Sequence, residues 1–176
     1  MMGRCNSLAE DIKERINLQD KLIKKYNMPL VSISFNCLTE LKMNNTIFDI
    51  VQTIEGIVSD MFSPYIYFIL SRETSEGYNS IFIINRNALE IKKIALQIEE
   101  NHLLGKCINI DVFNKDTKKI SRIDIGKLKR RCYLCNGDAE KCIKNKKHSQ
   151  KDMVKYAYDK YKQYAYECMR NRNLIK

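Results

Sequence analysis

Between Leu30 and Phe113 the spacing of apolar residues alternates between period two and period 3.6, and no other feature of the chain restricts its architecture as much. Val31, Ile33 and Phe35 alternate with serines, so Leu30 to Asn36 reads as a half-buried strand. Ile47, Ile50, Val51, Ile54 and Val58 then recur at three- and four-residue steps, predicting a helix over Asn44 to Phe62 that Pro64 ends. Two apolar runs, Tyr65 to Leu70 and Ser80 to Asn85, flank the polar, glycine-bearing Ser71 to Asn79 and predict paired strands. Leu89, Ile91, Ala95 and Ile98 place a second helix over Asn87 to Asn101, and Gly105 opens a strand over Ile108 to Phe113. Strand, helix, strand, strand, helix, strand is the order of an α+β, ferredoxin-like βαββαβ sandwich.

This unit carries additions at both ends. Leu8, Ile12, Leu22 and Ile23 predict an N-terminal helix over Ser7 to Tyr26, stopped by Asn27 and Pro29. A short extended piece at Ile120 to Ile123, a Cys/His loop from Arg130 to Ser149 and a last helix over Gln150 to Met169 follow. Ser149 and Asp152 resemble a capping box for that helix. Its stripe of Met153, Tyr156, Ala157, Tyr161, Tyr164 and Cys168 reads as core or snorkelling contacts rather than a platform for bases. A length of 176 residues suits one domain over the whole chain. No apolar run approaches the ~20 residues that cross a bilayer, and Met1 to Arg15 lacks the apolar core of a secretory signal, so a cytoplasmic protein without a membrane partner is expected.

Charge is unevenly placed. Residues 1 to 114 hold 12 Lys/Arg against 14 Asp/Glu, whereas residues 115 to 176 hold 19 against 7. The basic third would concentrate anions: nucleic acid, phosphorylated cofactors or an acidic protein. Of seven cysteines, Cys5, Cys37, Cys107 and Cys168 are scattered and Cys132, Cys135 and Cys142 are clustered, which suits reduced thiols and one local site.

Two constellations carry chemistry. In the strand Ile108 to Val112 the isoleucines and valine share one face, so Asn109 and Asp111 share the other, where two oxygens could hold Mg²⁺ against phosphates. A solvent-facing polar pair is the alternative. Cys132-x-x-Cys135, Cys142 and His148 resemble a structural zinc knot; small buried thiols beside a helix cap are the alternative. Arg130, Arg131, Lys144, Lys146 and Lys147 make this loop cationic either way. His102 stands alone in a helix-to-strand connection, where a histidine is more often structural; reaching a substrate at the adjoining strand is the alternative.

Arg130-Arg131-Cys132-x-x-Cys135, then Ala139, Cys142 and His148-Ser149, closely resembles the C-terminal signature of the citrate lyase holo-acyl-carrier-protein synthase (CitX) family. His102-Leu103-Leu104-Gly105-Lys106, Ile110-Asp111-Val112 and Ile120-Ser121-Arg122 are similar to that family's upstream elements in order and spacing, as are Arg15, Gln19, Pro29 to Ser32, Lys42 and Ser75-Glu76-Gly77. The resemblance implies transfer of a phosphoribosyl-dephospho-CoA group from 2'-(5''-triphosphoribosyl)-3'-dephospho-CoA to a serine of the citrate lyase acyl carrier (γ) subunit, releasing pyrophosphate. It also implies a nucleotidyltransferase-like site. In it Asp111 and Asn109 would hold Mg²⁺, and Lys42, Lys106, Arg122, Arg130 and Arg131 would neutralise the triphosphate. His102 or Asp111 would accept the serine proton. Asn109 stands where the family's dyad begins with Asp, Leu38-Thr39 replaces its Pro-Gly, and Lys106 and Lys144 replace arginines. Two alternatives remain open: an RNA-binding module, although Gly77 to Ile83 is a poor match to RNP1 and nucleic acid is not the expected partner, and a catalytically degenerate homologue that docks the carrier.

Overall fold

The computed structural model describes residues 7–36 and 45–173, the last three by backbone alone. Lys42 and Leu38-Thr39 lie outside the described residues. Helix α1 (Leu8–Tyr26) starts at a capping box in which Ser7 and Glu10 satisfy each other's backbone N–H, and ends at Asn27, left-handed at φ 51°. Then come β1 (Leu30–Phe35), α2 (Asn45–Phe62), β2 (Ile66–Thr74), β3 (Gly77–Ile84), α3 (Ala88–Asn101), β4 (Ile108–Phe113), β5 (Lys119–Ile120), α4 (Ala139–Lys144) and α5 (Gln150–Asn173).

All strand pairs are antiparallel, in the order β2-β3-β1-β4-β5. The α+β class expected from the alternating periods is present, with a fifth, two-residue strand at one edge. The hairpin departs from expectation. Ser71 to Asn79 is not a loop: β2 runs to Thr74, β3 starts at Gly77, and Ser75-Glu76 alone makes the turn. Polar residues can occupy these strands because a carboxylate from α2 receives their hydroxyls. Glu55 accepts from Ser71 Oγ at 2.6 Å, Ser80 Oγ at 2.6 Å and the Tyr78 hydroxyl at 2.7 Å. Gly77, at φ 85°, supplies the left-handed step out of the turn.

The sheet is covered on both faces. Val31, Ile33, Phe82, Ile84, Ile108, Ile110 and Val112 face α2, α3 and α5, and the α5 stripe of Met153, Tyr156, Ala157, Tyr161 and Tyr164 packs there as expected. On the opposite face Leu22 and Ile23 of α1 close over Leu30, Ile81 and Ile83, each buried apolar side chain contributing about 2 kcal/mol. The bidentate Arg15–Glu76 pair and the Asp11 carboxylate on the Ser75 N–H tie α1 to the hairpin. With Ile81 and Ile83 fully buried under α1, β3 offers no free surface on which bases could stack, and the RNA-binding reading loses its platform. No helix among the described residues is long and apolar enough to cross a membrane.

Beyond β5 the outer edge of β4 is closed by side chains. The Ile110 N–H donates to Glu99 Oε1 at 2.9 Å, and its carbonyl accepts from Lys92 Nζ at 3.0 Å. Arg122 completes the network, Nη2 to Glu99 at 2.7 Å and Nη1 to Glu100 at 2.8 Å. Lys92 and Glu99 are buried, and burial pushes the Lys92 ammonium below its usual range. Gly105 lets the chain turn from α3 into β4, since a Cβ there would drive into the Ile98 carbonyl oxygen.

Three helix starts rest on exposed carboxylates. Glu10, Asp138 and Asp152 are held below their usual values, 4.5 for Glu and 3.8 for Asp, chiefly by the Ser7 N–H, the Lys141 N–H and the Ser149 hydroxyl respectively. Depressed carboxyls contribute fully above their unfolded values, and that contribution disappears as pH falls through the folded ones. The melting temperature should therefore decline on acidification from about pH 5 to about pH 3, and less steeply in Asp152→Asn, as calorimetry at stepped pH would read.

Candidate phosphate-binding cleft

The end of α3, the turn before β4 and the start of the Cys/His loop enclose an open cleft of about 440 Å³. Lys106, Arg122, Arg130 and Arg131 all line it, with Lys127 and Lys129 beside them. Four of the five residues expected to bind phosphate are thus brought together from a turn, a 3₁₀ segment and a loop; Lys42 is outside the described residues. Arg130 is the most constrained. Its Nη1 donates to Asn109 Oδ1, and its Nη2 donates to the carbonyls of Lys106 at 3.2 Å and Ile108 at 3.1 Å. Arg122 is held by Glu99 and Glu100, so it shapes the wall more than it offers free donors.

Asn109 and Asp111 share the face of β4 that points away from α3, opposite Ser34 and Ser32 of β1, as the alternation required. Each already has a basic partner: Arg130 on Asn109, and Lys119 Nζ at 2.8 Å from Asp111 Oδ2. Among the described residues no other carboxylate, thiol or imidazole joins them in a ready-made metal set. One carboxylate and one amide oxygen fit Mg²⁺ only as a partial site, which phosphate oxygens of a substrate would have to complete.

His102 caps α3. Its Nδ1 accepts the Leu104 N–H at 3.2 Å, its ring lies 5.5 Å from that of Tyr164, and burial pushes it below its usual value of 6.5. The lone pair a general base needs is spent on the backbone. The other ring nitrogen is then the protonated one, a donor.

The loop does gather its four residues. The Sγ atoms of Cys132, Cys135 and Cys142 and a ring nitrogen of His148 all lie within 4.8 Å of one another. The Gly137 N–H, then His148 and Cys142, draw the Cys135 thiol down to about 6, while desolvation pushes Cys142 up to about 11. Cys107, buried in the core, is pushed by burial up to about 12 and is packing.

One residue escaped the sequence analysis. Arg72, Asn79, Ser34 and Asn109 stand in register across β2, β3, β1 and β4, on the α1 face. Arg72 Nε and Nη2, Asn79 Oδ1 and Gln19 Nε2 are buried there without a hydrogen-bond partner. Buried guanidinium N–H groups without an acceptor are costly unless an anion reaches them. The signal was Arg72 at an inward position two residues after Leu70, hidden by reading Ser71 to Asn79 as a loop.

An α+β protein with a cleft of converging guanidinium and ammonium groups beside a carboxylate-bearing strand has the donors that a phosphorylated substrate would need. Comparison with known families narrows this. The family model described as CitX, apo-citrate lyase phosphoribosyl-dephospho-CoA transferase, matches residues 5–164, and the chain belongs to that family. It is 29% identical over 139 residues to a probable apo-citrate lyase phosphoribosyl-dephospho-CoA transferase of Vibrio cholerae, covering 77% of this chain and 78% of that one. A probable transferase of the same name in Streptococcus pyogenes is 27% identical over 148 residues, covering 80% and 76%. The apo-citrate lyase phosphoribosyl-dephospho-CoA transferase of Escherichia coli is 31% identical over 81 residues, covering 46% and 44%.

Proposed function

We propose that this protein is a cytoplasmic nucleotidyltransferase that moves the phosphoribosyl-dephospho-CoA group from its triphosphate precursor to a serine of the citrate lyase acyl carrier (γ) subunit. The observation that carries this reading is the convergence of Lys106, Arg122, Arg130 and Arg131 on one cleft in a chain of the CitX family. The serine oxygen forms a bond to the precursor's inner phosphorus, the bond to pyrophosphate breaks, and the serine proton leaves to a base. Arg130 and Arg131 face the charge that grows on the leaving pyrophosphate, and Lys106 holds the same phosphates from the turn. Arg130 also fixes the Asn109 carboxamide, so it orients the strand pair as well as the anion. Asp111 and Asn109 would hold Mg²⁺, which supplies positive charge at the phosphate under attack. With the His102 lone pair occupied, Asp111 is the group left to receive the serine proton. Arg72 offers its two buried donors to a second anionic group of the same long substrate.

The test is intact mass of the apo-carrier after incubation with the protein, the precursor and Mg²⁺. A mass gain of one prosthetic group, with an equivalent of pyrophosphate, is expected; an unmodified carrier in the presence of folded protein would sink the reading. Arg131→Ala removes one exposed charge-assisted contact and should raise the KM for precursor about tenfold. Arg130→Ala removes a contact and an orienting partner together and should lower kcat/KM about 100-fold.

A further inference from the structure

We propose that Cys132, Cys135, Cys142 and His148 bind one structural Zn²⁺, and that this ion, rather than a hydrophobic core, holds the loop that carries Arg130 and Arg131. Two independent observations meet here. The first is geometry. Cys135 and Cys142 sulfurs are 3.5 Å apart and His148 Nε2 is 3.3 Å from Cys135 Sγ. Ligands of a tetrahedral zinc with bonds near 2.3 Å to sulfur and 2.0 Å to nitrogen stand about 3.5–3.8 Å from one another. The separation is well beyond the ~2.05 Å of a disulfide, and pairing any two thiols would strand the third. Four protein ligands close the coordination sphere and leave no open position, which is the pattern of a structural rather than a catalytic ion.

The second observation is what the loop lacks. Between residues 126 and 149 only Cys132 and Cys142 are buried, while Leu128 and Ile143 are 82% and 70% exposed. A segment of that length, ordered with almost no apolar burial, must offset its conformational entropy by a cross-link. The backbone is already wound for one. The Asn136 N–H donates to the Cys132 carbonyl, Asn136 is left-handed at φ 57°, and the Cys132 N–H donates to the Gly137 carbonyl at 2.7 Å. This tight turn brings the Gly137 N–H toward the Cys135 sulfur. Asp138 then caps α4, which carries Cys142.

The consequence falls on the cleft. Arg130 and Arg131 immediately precede the first ligand, the backbone of Arg131 forms an antiparallel β-bridge with that of Asp138 inside the knot, and Tyr133 packs against Tyr156 of α5 at 4.8 Å. The ion thus fixes the origin of both guanidinium groups and docks the loop on α5. That consequence rests on the function proposed above, but the metal does not.

Full-length protein purified under reducing conditions without chelator should contain about one zinc per chain by plasma mass spectrometry. Its Co²⁺ form should show the intense visible bands of tetrahedral coordination and a sulfur-to-cobalt charge-transfer band. Cys132, Cys135 and Cys142 should resist alkylation until the metal is stripped, whereas Cys168 should react throughout. Cys135→Ser and His148→Ala should lose most of the zinc, and Cys168→Ser should keep it. Protein without zinc that gives only weak octahedral cobalt bands, an iron–sulfur chromophore, or equal alkylation of the loop thiols before and after stripping would overturn the proposal. Because wild-type protein alone supplies these readouts, a variant that fails to fold does not blunt them. A chain that holds zinc but leaves the carrier unmodified would retire the proposed function and leave the zinc site standing.

Discussion

Asp111→Asn should lower kcat/KM for carrier modification by about 1,000-fold while leaving the protein folded. The carboxylate is the only anionic group of the Asn109–Asp111 pair, so the change removes both the charge that would hold Mg²⁺ and the base that would take the serine proton. Its structural cost is small. Asp111 pairs with Lys119 at the surface, with side chains 33% and 55% exposed, and such a pair is worth about 0–1 kcal/mol. Activity and stability therefore separate, and a melting temperature measured beside the mass-shift assay would show it. An equal loss of both would place Asp111 in the scaffold. Asn109→Asp is the converse: it adds a second anionic oxygen beside Arg130 and should raise the apparent affinity for Mg²⁺.

Glu99→Ala is expected to cost about 3–5 kcal/mol, the range for breaking a buried ion pair from one side. Glu99 accepts the Ile110 N–H and Arg122 and is the largest favourable influence on the buried Lys92 ammonium. Removing it leaves the Ile110 amide without its acceptor, the buried Lys92 ammonium with only the Ile110 carbonyl, and Arg122 with Glu100 alone. At 2–4 °C per kcal/mol for a chain of this size, the melting temperature should fall by roughly 10 °C. Glu99→Gln keeps an acceptor for the amide and should lose about half as much. Should Glu99→Ala melt with wild type, the β4 edge is held by something other than this network.

The element order could be read from the chain because each buried face repeats with its own period: Val31, Ile33 and Phe35 on a strand, Ile47, Ile50, Val51 and Ile54 on a helix. Periodicity reports which residues turn inward but not what they meet. The apolar stripe of α1 was visible, whereas its place on the second face of the sheet depends on long-range contacts such as Arg15–Glu76. The hairpin was misjudged because Ser71 and Arg72 look like loop residues until the Glu55 carboxylate is seen beneath Ser71. Lys92 and Glu99 did carry a trace, standing on the same inward side of α3 as Ile91, Ala95 and Ile98. At the site, the Cys/His spacing and the Arg130-Arg131 pair were legible because they are local. That Arg130 reaches back to Asn109 was not, since that contact joins a loop to a strand 21 positions earlier.

The Glu99 carboxylate on the Ile110 amide also gives the molecule a built-in reporter. An amide at a sheet edge ordinarily exchanges its hydrogen with solvent quickly, yet this one is shielded by a side chain rather than by a neighbouring strand. Its exchange rate would follow the Glu99–Arg122 contact, and hence the wall of the cleft, rather than the opening of the sheet. Deuterium uptake at Ile110 would thus show whether an anion entering the cleft draws Arg122 away from α3, a movement no other backbone position of β4 registers so directly.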